Sequence, residues 1–436
     1  MKDIVYWVWL AERCGYANTY FAMLYSLYKN PVDIYNLEND EVMQLDKSIP
    51  FKLKDKLCDR DLTKARAICE YCKDRGIEIL AFTDPRYPER LKLIIDPPAI
   101  LYCRGRVPDF NGRLCVGIVG TRKMSRYGRE GAYRFAYELS SLGACVVSGL
   151  ALGIDATAAC GALDGGTPTV QVLGCGVDVV YPKVHARLRD AVIENGALVS
   201  EYPPLEPPKK QYFPQRNRII SGISHGVFVA ECRGVSGAMI TADIAFSQGK
   251  ELFAFPGKVG DPTAEGPNEL LRRGAYAALY TEDIIYKYNA YFNEYNKKET
   301  AQKLKAIRDA EREALASLEK YSVPDKCEEN EMINNAPRVG EKKKETKEKS
   351  ASVKTYAPAV EEISPEPLRV PVKTAKDYGL DEVTARVFDA IDCKSPISVD
   401  SIVCEGLTTQ DVVTSLTVLE IMGLITSLPG GLYIRK

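Results

Sequence analysis

Between Leu114 and Asp283 the chain repeats one pattern, and that pattern limits the folds open to it. Short apolar, β-rich runs recur, namely "LCVGIV", "ACVVSG", "TPTVQVLG", "GALVSE", "GVFVAE", "KELFAFPG" and "AYAALY", and longer segments of helical character separate most of them. A strand that is apolar along its whole length needs cover on both faces, and intervening helices supply it. The stretch predicts a doubly wound α/β domain with a mostly parallel sheet. Its ligand site is expected at the carboxyl ends of the strands.

The flanks read differently. Residues 1–75 hold helical stretches such as "YANTYFAMLYSLYK" and "DRDLTKARAICEYCKDRG", punctuated by Pro31 and Pro50, and predict a small helical domain. The segment "GIEILAFTDPRYPERLKLIIDPPAILYCRG" adds two short strands that lead into the core, residues 76–290. Residues 291–375 form a charged linker: "NEYNKKETAQKLKAIRDAEREALASLEKY" is helical in character, and "RVGEKKKETKEKSASVKTYAPAVEEISPEP" lacks the large apolar residues needed to order it. Residues 376–436 recover apolar periodicity in "LDEVTARVFDAI", "SVDSIVCE" and "TTQDVVTSLTVLEIMG", followed by "LITSLPGGLYIRK". Three helices and a hairpin with a Pro-Gly-Gly turn spell a winged helix.

Composition bounds the partners. The net charge of −1 leaves no global basic field to draw in a polyanion, so any nucleic-acid site is a local patch. The N-terminal apolar run, Ile4 to Leu10, is too short to span a membrane and no cleavage region follows it, which predicts a cytoplasmic protein. Thirteen cysteines then read as reduced thiols. Cys69 and Cys72 have the spacing of a redox or zinc pair, but no second pair follows and the chain has only 2 histidines. They are expected to be ordinary helix residues, and neither a metal nor a cofactor is predicted.

The strand ends carry the chemistry. In "VGIVGTRKMSRYGRE" the glycines are spaced G-x-x-G, and no acidic residue ends the next strand, so the dinucleotide fingerprint is not met. A phosphate remains attractive. The turn is expected to offer free backbone N–H groups at a helix N-terminus, flanked by Gly120, with donors from Thr121, Arg122, Lys123 and Ser125. A solvated basic helix face is the plainer alternative. Further glycine turns and cations follow at the other strand ends: Gly149 in "SGLALGID", then Lys183, Arg187 and Arg189 in "GCGVDVVYPKVHARLRD". Lys209, Lys210, Arg216, Asn217 and Arg218 come after "SEYPP", interleaved with Tyr202, Tyr212 and Phe213. Cations tracking a backbone and aromatics stacking bases are the makings of a single-strand groove. Catalysis finds little support: Asp155, Asp178 and Glu201 each suit a cap or an arginine partner, and Cys175 sits in a tight turn.

Taken in order, "GIVGTR", "VSGLALGIDATA", "LGCGVDVVYP", "SEYPP", "FPQRNRIISGIS", "SGAMITADIA", "GKELFAFPG" and "GPNELLRRGA" resemble the DprA/Smf family of bacterial DNA-processing proteins. The resemblance implies an extended Rossmann-like fold that binds single-stranded DNA without a catalytic step, forms a homodimer, and helps load the RecA recombinase during natural transformation. By position it carries over the loop arginine to Arg122, the basic residue after the "YP" turn to Lys183, and the paired arginines to Arg216 and Arg218. Arg122 and Lys183 are the expected phosphate contacts, while Arg216 and Arg218 are also suited to tying their helix to the sheet. Where the family commonly has an arginine in the second glycine turn this chain has Leu152, and Ala159, Cys160 and Pro267 replace a His-Arg pair and a cysteine. Fewer cations predict weaker DNA affinity or reliance on other sites. The alternative enzyme reading, a nucleotide phosphoribohydrolase, wants paired glycines and a glutamate where this chain reads "VSGAMITAD". A third, a winged-helix transcription factor, is opposed by the recognition helix "TTQDVVTSLTVLEIMG", which lacks Lys and Arg and cannot neutralise phosphates. The winged helix is expected to contact protein or the chain's own basic groove.

Overall fold

The computed structural model describes residues 3–289, 297–315 and, nearer the C-terminus, 380–391, 397–398, 402, 408–421, 424–428 and 432–435. The chain divides into two compact units, Met1–Pro337 and Arg338–Lys436.

The first unit is built on a nine-stranded sheet. Its strands are β1 (Ile77–Ala81), β2 (Ile100–Gly105), β3 (Cys115–Val119), β4 (Cys145–Ser148), β5 (Val170–Val172), β6 (Ala197–Ser200), β7 (Gly226–Val229), β8 (Glu251–Ala254) and β9 (Tyr276–Ala277). The order is β1-β2-β6-β5-β4-β3-β7-β8-β9. From β6 to β9 the ladder is parallel, whereas β2 runs antiparallel to β6 and β1 to β2. All seven apolar runs singled out in the sequence contain one of the strands β3 to β9. The order reverses at β3: the chain lays β4 to β6 on one side of it and β7 to β9 on the other. At such a switch point the loops leaving neighbouring strands diverge and open a crevice.

Period-two alternation explains the double cover. Val116 and Ile118 of β3 pack with Phe135 and Leu139 of the helix Arg126–Ser141. Cys115 and Val119, on the opposite face, pack with Ile219 and Ile220 of the helix Tyr212–Ile223.

The N-terminal helices Ile4–Cys14, Tyr20–Tyr28, Pro31–Asn36, Asn39–Met43, Phe51–Cys58 and Thr63–Asp74 cover the end of the sheet made by β1, β2 and β6. Trp7, Trp9, Leu10, Phe21 and Leu24 join one apolar cluster with Ile100 and Tyr102 of β2 and Leu198 of β6. Cys69 is half-buried and Cys72 buried in the helix Thr63–Asp74, and burial pushes both thiols up, to about 11 and about 12. The helix expected in the charged linker spans Lys297–Leu315. Arg308 ties it to the core by ion pairs with Glu138 at 2.9 Å and Glu282 at 2.7 Å. The remainder of the predicted linker, 316–375, lies outside the described residues. No helix among the described residues is long and apolar enough to cross a membrane.

The second unit has helices Glu382–Asp389 and Thr409–Ile421 and a three-stranded antiparallel sheet of Ile397–Ser398, Leu432–Arg435 and Ile425–Leu428 in that spatial order. Val387, Phe388, Ile402, Leu416, Leu419 and Ile425 form its core. Of the helix expected over "SVDSIVCE", all but Ser398 and Ile402 lies outside the described residues, as does the Pro-Gly-Gly turn. Arg435, at the wing, has its guanidinium 4.3 Å from the Phe388 ring centre.

Candidate nucleic-acid interface

The loop after β3 is held more tightly than its sequence suggests. The Thr121 N–H donates to the Glu231 carbonyl at 2.7 Å, and the Thr121 carbonyl accepts from Ile154 N–H at 3.1 Å. Lys123 N–H donates to Thr121 Oγ1, Ser125 N–H to the Glu231 carboxylate at 2.9 Å, and Gly128 N–H to Ser125 Oγ. The expectation of free loop amides is therefore corrected. The seat for an anion at the start of the helix Arg126–Ser141 is filled by the chain's own Glu231, because a buried carboxylate needs donors and the helix N-terminus supplies one. Ser125 is the N-cap of that helix. What the loop presents outward is side chain: Arg122 and Lys123 are exposed, and the Arg122 guanidinium has no hydrogen bond or ion pair among the described residues.

The second glycine turn lies beside it. Gly153 takes φ +79°, and a Cβ there would fall 2.4 Å from the Thr121 carbonyl oxygen, so only glycine lets the two turns touch. Leu150 adopts a left-handed φ of 54°. Two bonds hold it there: its N–H donates to Gln171 Oε1 at 3.0 Å, and His185 Nδ1 donates to its carbonyl at 3.1 Å.

The arginines of the helix Tyr212–Ile223 lie beneath this surface. Arg216 is 3% exposed and donates to the carbonyls of Gly149, at 2.8 Å, and Val172. Burial lowers its pKa and raises that of buried Asp155, and each charge partly offsets the cost to the other. Arg218 is 5% exposed and pairs with Glu201 at 2.5 Å and Asp96 at 3.2 Å. Burial works against its charge, but the two carboxylates outweigh that and raise its pKa. Asn217 is half-buried between them. Arg189 is also buried, bonded to the Val177 carbonyl, and Lys209 pairs with Glu206.

Of the aromatics expected to stack bases, Tyr202 and Tyr212 are already occupied. Their rings stack at 4.0 Å, both are buried, and Tyr16 of the N-terminal region meets their edges. Phe213 is different: it is half-buried and lies 5.5 Å from Tyr181. These two rings, with Arg122, Gly149, Leu152, Gly174 and Pro182, line a small pocket at the carboxyl ends of β3, β4 and β5. Gly120 packs on Ile154 behind the pocket, and Lys183, exposed and without a side-chain partner among the described residues, follows Pro182. Tyr181, Leu152 and the exposed cations Arg233 and Lys258, after β7 and β8, join the same edge although sequence reasoning did not single them out as contacts. Position at a strand's carboxyl end was the signal available for each.

The other carboxylates near strand ends are engaged structurally. Asp178 accepts from Tyr71 Oη and Leu205 N–H, and Glu201 is the partner of Arg218. Burial pushes the Cys175 thiol up to about 11, the opposite of what a nucleophile needs.

Residues 78–289 match the family model described as DNA recombination-mediator protein A, and residues 371–431 match the DprA winged helix domain. Over 220 residues the chain is 39% identical to the DNA processing protein DprA of Bacillus subtilis, covering 50% of this chain and 74% of that protein. It is 30% identical over 368 residues to Protein Smf of Synechocystis sp., covering 84% and 81% respectively. The X-ray structure of DNA processing protein A from Streptococcus pneumoniae aligns with a TM-score of 0.49 at 30% identity, covering 59% of this chain and 95% of that one.

Proposed function

This chain belongs to the DprA/Smf family, and from that premise we propose that it is a non-enzymatic, cytoplasmic single-stranded DNA-binding protein that works as a homodimer. In this reading it protects DNA and helps load RecA during natural transformation and recombination. One observation carries the DNA-binding part. An exposed guanidinium, Arg122, with no hydrogen bond or ion pair among the described residues, stands at the switch point of the sheet, beside a pocket walled by Tyr181 and Phe213. A planar cation suits a phosphate, and a π-face suits any base without reading its sequence. Lys183 continues the track of positive charge. Arg216 and Arg218 are assigned the scaffold role, since each is buried on partners within the protein.

The dimer is supported by apolar side chains on and beside the helix Gly237–Ser247: Val235 is 97% exposed, Phe246 62% and Ile240 45%. Apolar surface left open in this way marks contact with another protein. RecA loading rests on family membership.

The test is binding of a fluorescent oligo(dT) to wild type and to Arg122→Ala and Lys183→Ala across a salt series. Each variant is expected to lose about tenfold in affinity and about one unit of salt slope. Binding unchanged in both variants places the strand elsewhere. If wild type does not bind, release of free base from nucleoside monophosphates is the assay that follows, and it decides for the phosphoribohydrolase alternative.

A further inference from the structure

A larger cavity, about 430 Å³, opens on the other side of the β3 loop, at the carboxyl ends of β7 and β8, and Ser125, Tyr127, Phe255 and Lys258 are among its lining. Tyr127 is the second residue of the helix Arg126–Ser141. Its ring stacks on Phe255 with centres 4.5 Å apart and planes 8° from parallel. Phe255 is 5% exposed, whereas Tyr127 is 51% exposed. A ring with one face covered by a parallel stack owes such exposure to its other face, so Tyr127 turns an open π-face outward. The ring is also held in place, because its hydroxyl donates to the Pro256 carbonyl at 2.7 Å. A flat aromatic face already fixed in this way loses little freedom when a partner stacks on it. Lys258, exposed in the same lining, adds positive charge.

We propose that Tyr127 is a second stacking platform, on whose outer face the strand held by Arg122 lays a further base. The proposal rests on the single-strand reading of the Arg122 pocket. Arg122 lines one cavity and Ser125 the other, so the loop between them is the ridge that a strand crosses. From Arg122 to Tyr127 the backbone reaches at most about 18 Å. A strand rising about 3.4 Å per nucleotide covers that distance in about five nucleotides. Every base has a π-face, so the platform takes any base and adds affinity without reading sequence. Covering Phe255 needs only an apolar side chain, which a leucine also supplies. Holding a base needs the ring.

The experiment measures binding of a fluorescent oligo(dT) to the full chain across a salt series, for wild type, Tyr127→Leu and Tyr127→Phe. Tyr127→Leu keeps Phe255 covered and loses the π-face, so its affinity is expected to fall about tenfold. Its salt slope is expected to stay unchanged, since a stacked base releases no counterion from the strand. Tyr127→Phe keeps the ring and is expected to bind within about twofold of wild type. A second measurement needs no variant and decides the matter if a melting curve shows Tyr127→Leu to be unfolded. Oligonucleotides carrying 5-iodouracil in place of thymine are irradiated on the wild-type chain, and the cross-linked peptides are identified by mass spectrometry. A cross-link at Tyr127 is expected. Unchanged affinity in Tyr127→Leu, equal losses in Tyr127→Leu and Tyr127→Phe, or cross-links confined to Tyr181 and Phe213 overturn the second platform and leave the Arg122 reading standing. No binding by wild type removes both.

Discussion

Arg216 holds Gly149 from beneath: its Nη1 donates to the Gly149 carbonyl at 2.8 Å, and a Cβ on Gly149 would fall 2.4 Å from that same nitrogen. The turn after β4 and the helix Tyr212–Ile223 are thus joined through a buried cation whose counter-charge is Asp155. Removing it takes from buried Asp155 its strongest charge partner and leaves it the backbone N–H groups of Ala151 and Gly149 and the charge of Arg122. Arg216→Met is expected to destabilise the first unit by about 3 kcal/mol, read as a lower urea midpoint at unchanged m-value. Loss of oligonucleotide binding with full stability would instead make Arg216 a direct DNA contact.

Leu152 lines the pocket beside Arg122, at the position where the family commonly carries an arginine. It is only half-buried, so a longer cationic side chain can leave the pocket wall and reach solvent. Leu152→Arg is expected to raise oligo(dT) affinity about fivefold at low salt and to steepen the salt slope by about one unit. A fall in affinity would mean that the leucine itself packs against a base.

His185 makes the site sensitive to acid. It is buried, its Nδ1–H holds the strained Leu150, and burial lowers its pKa below the ordinary 6.5. The folded state keeps the imidazole neutral while the unfolded chain takes up a proton, so this contribution is complete above about pH 6.5 and is lost as pH falls. Melting curves between about pH 7.5 and about pH 5.5 are expected to show a smaller loss for His185→Gln, which keeps a donor for Leu150 and does not titrate. Equal losses in the two proteins would count against this source of acid sensitivity.

The helix Thr409–Ile421 of the second unit contains neither Lys nor Arg, and residues 376–436 carry 5 basic against 9 acidic side chains. Such a surface releases few counterions from DNA. Removing residues 376–436 is expected to leave the oligonucleotide salt slope unchanged and the affinity equal or higher. A shallower slope with weaker binding would show that the winged helix itself holds phosphate.

The order of strands and helices was legible because it is a local property: β-branched runs such as "CVGIV" are apolar at every position, and a parallel sheet between two helical layers is the structure that buries them. The same reading pointed to the carboxyl edge of the strands as the candidate site, to the glycine turns along it, and to Arg122 as its candidate cation. What it divided only in part was the set of cations and aromatics along that edge. Arg216 and Arg218 suited either a phosphate or a tie between helix and sheet, and the structure buries them on Gly149, Glu201 and Asp96, supplied by distant strands and turns, while Arg122 is exposed. Tyr202 and Tyr212 likewise lost their surface to each other and to Tyr16, and Glu231 took the helix N-terminus that looked open to a phosphate. Apolar periodicity is written within a few residues. Whether a charge or a ring stays free is decided by which remote groups fold against it, because leaving such groups buried and unpaired costs more than pairing them.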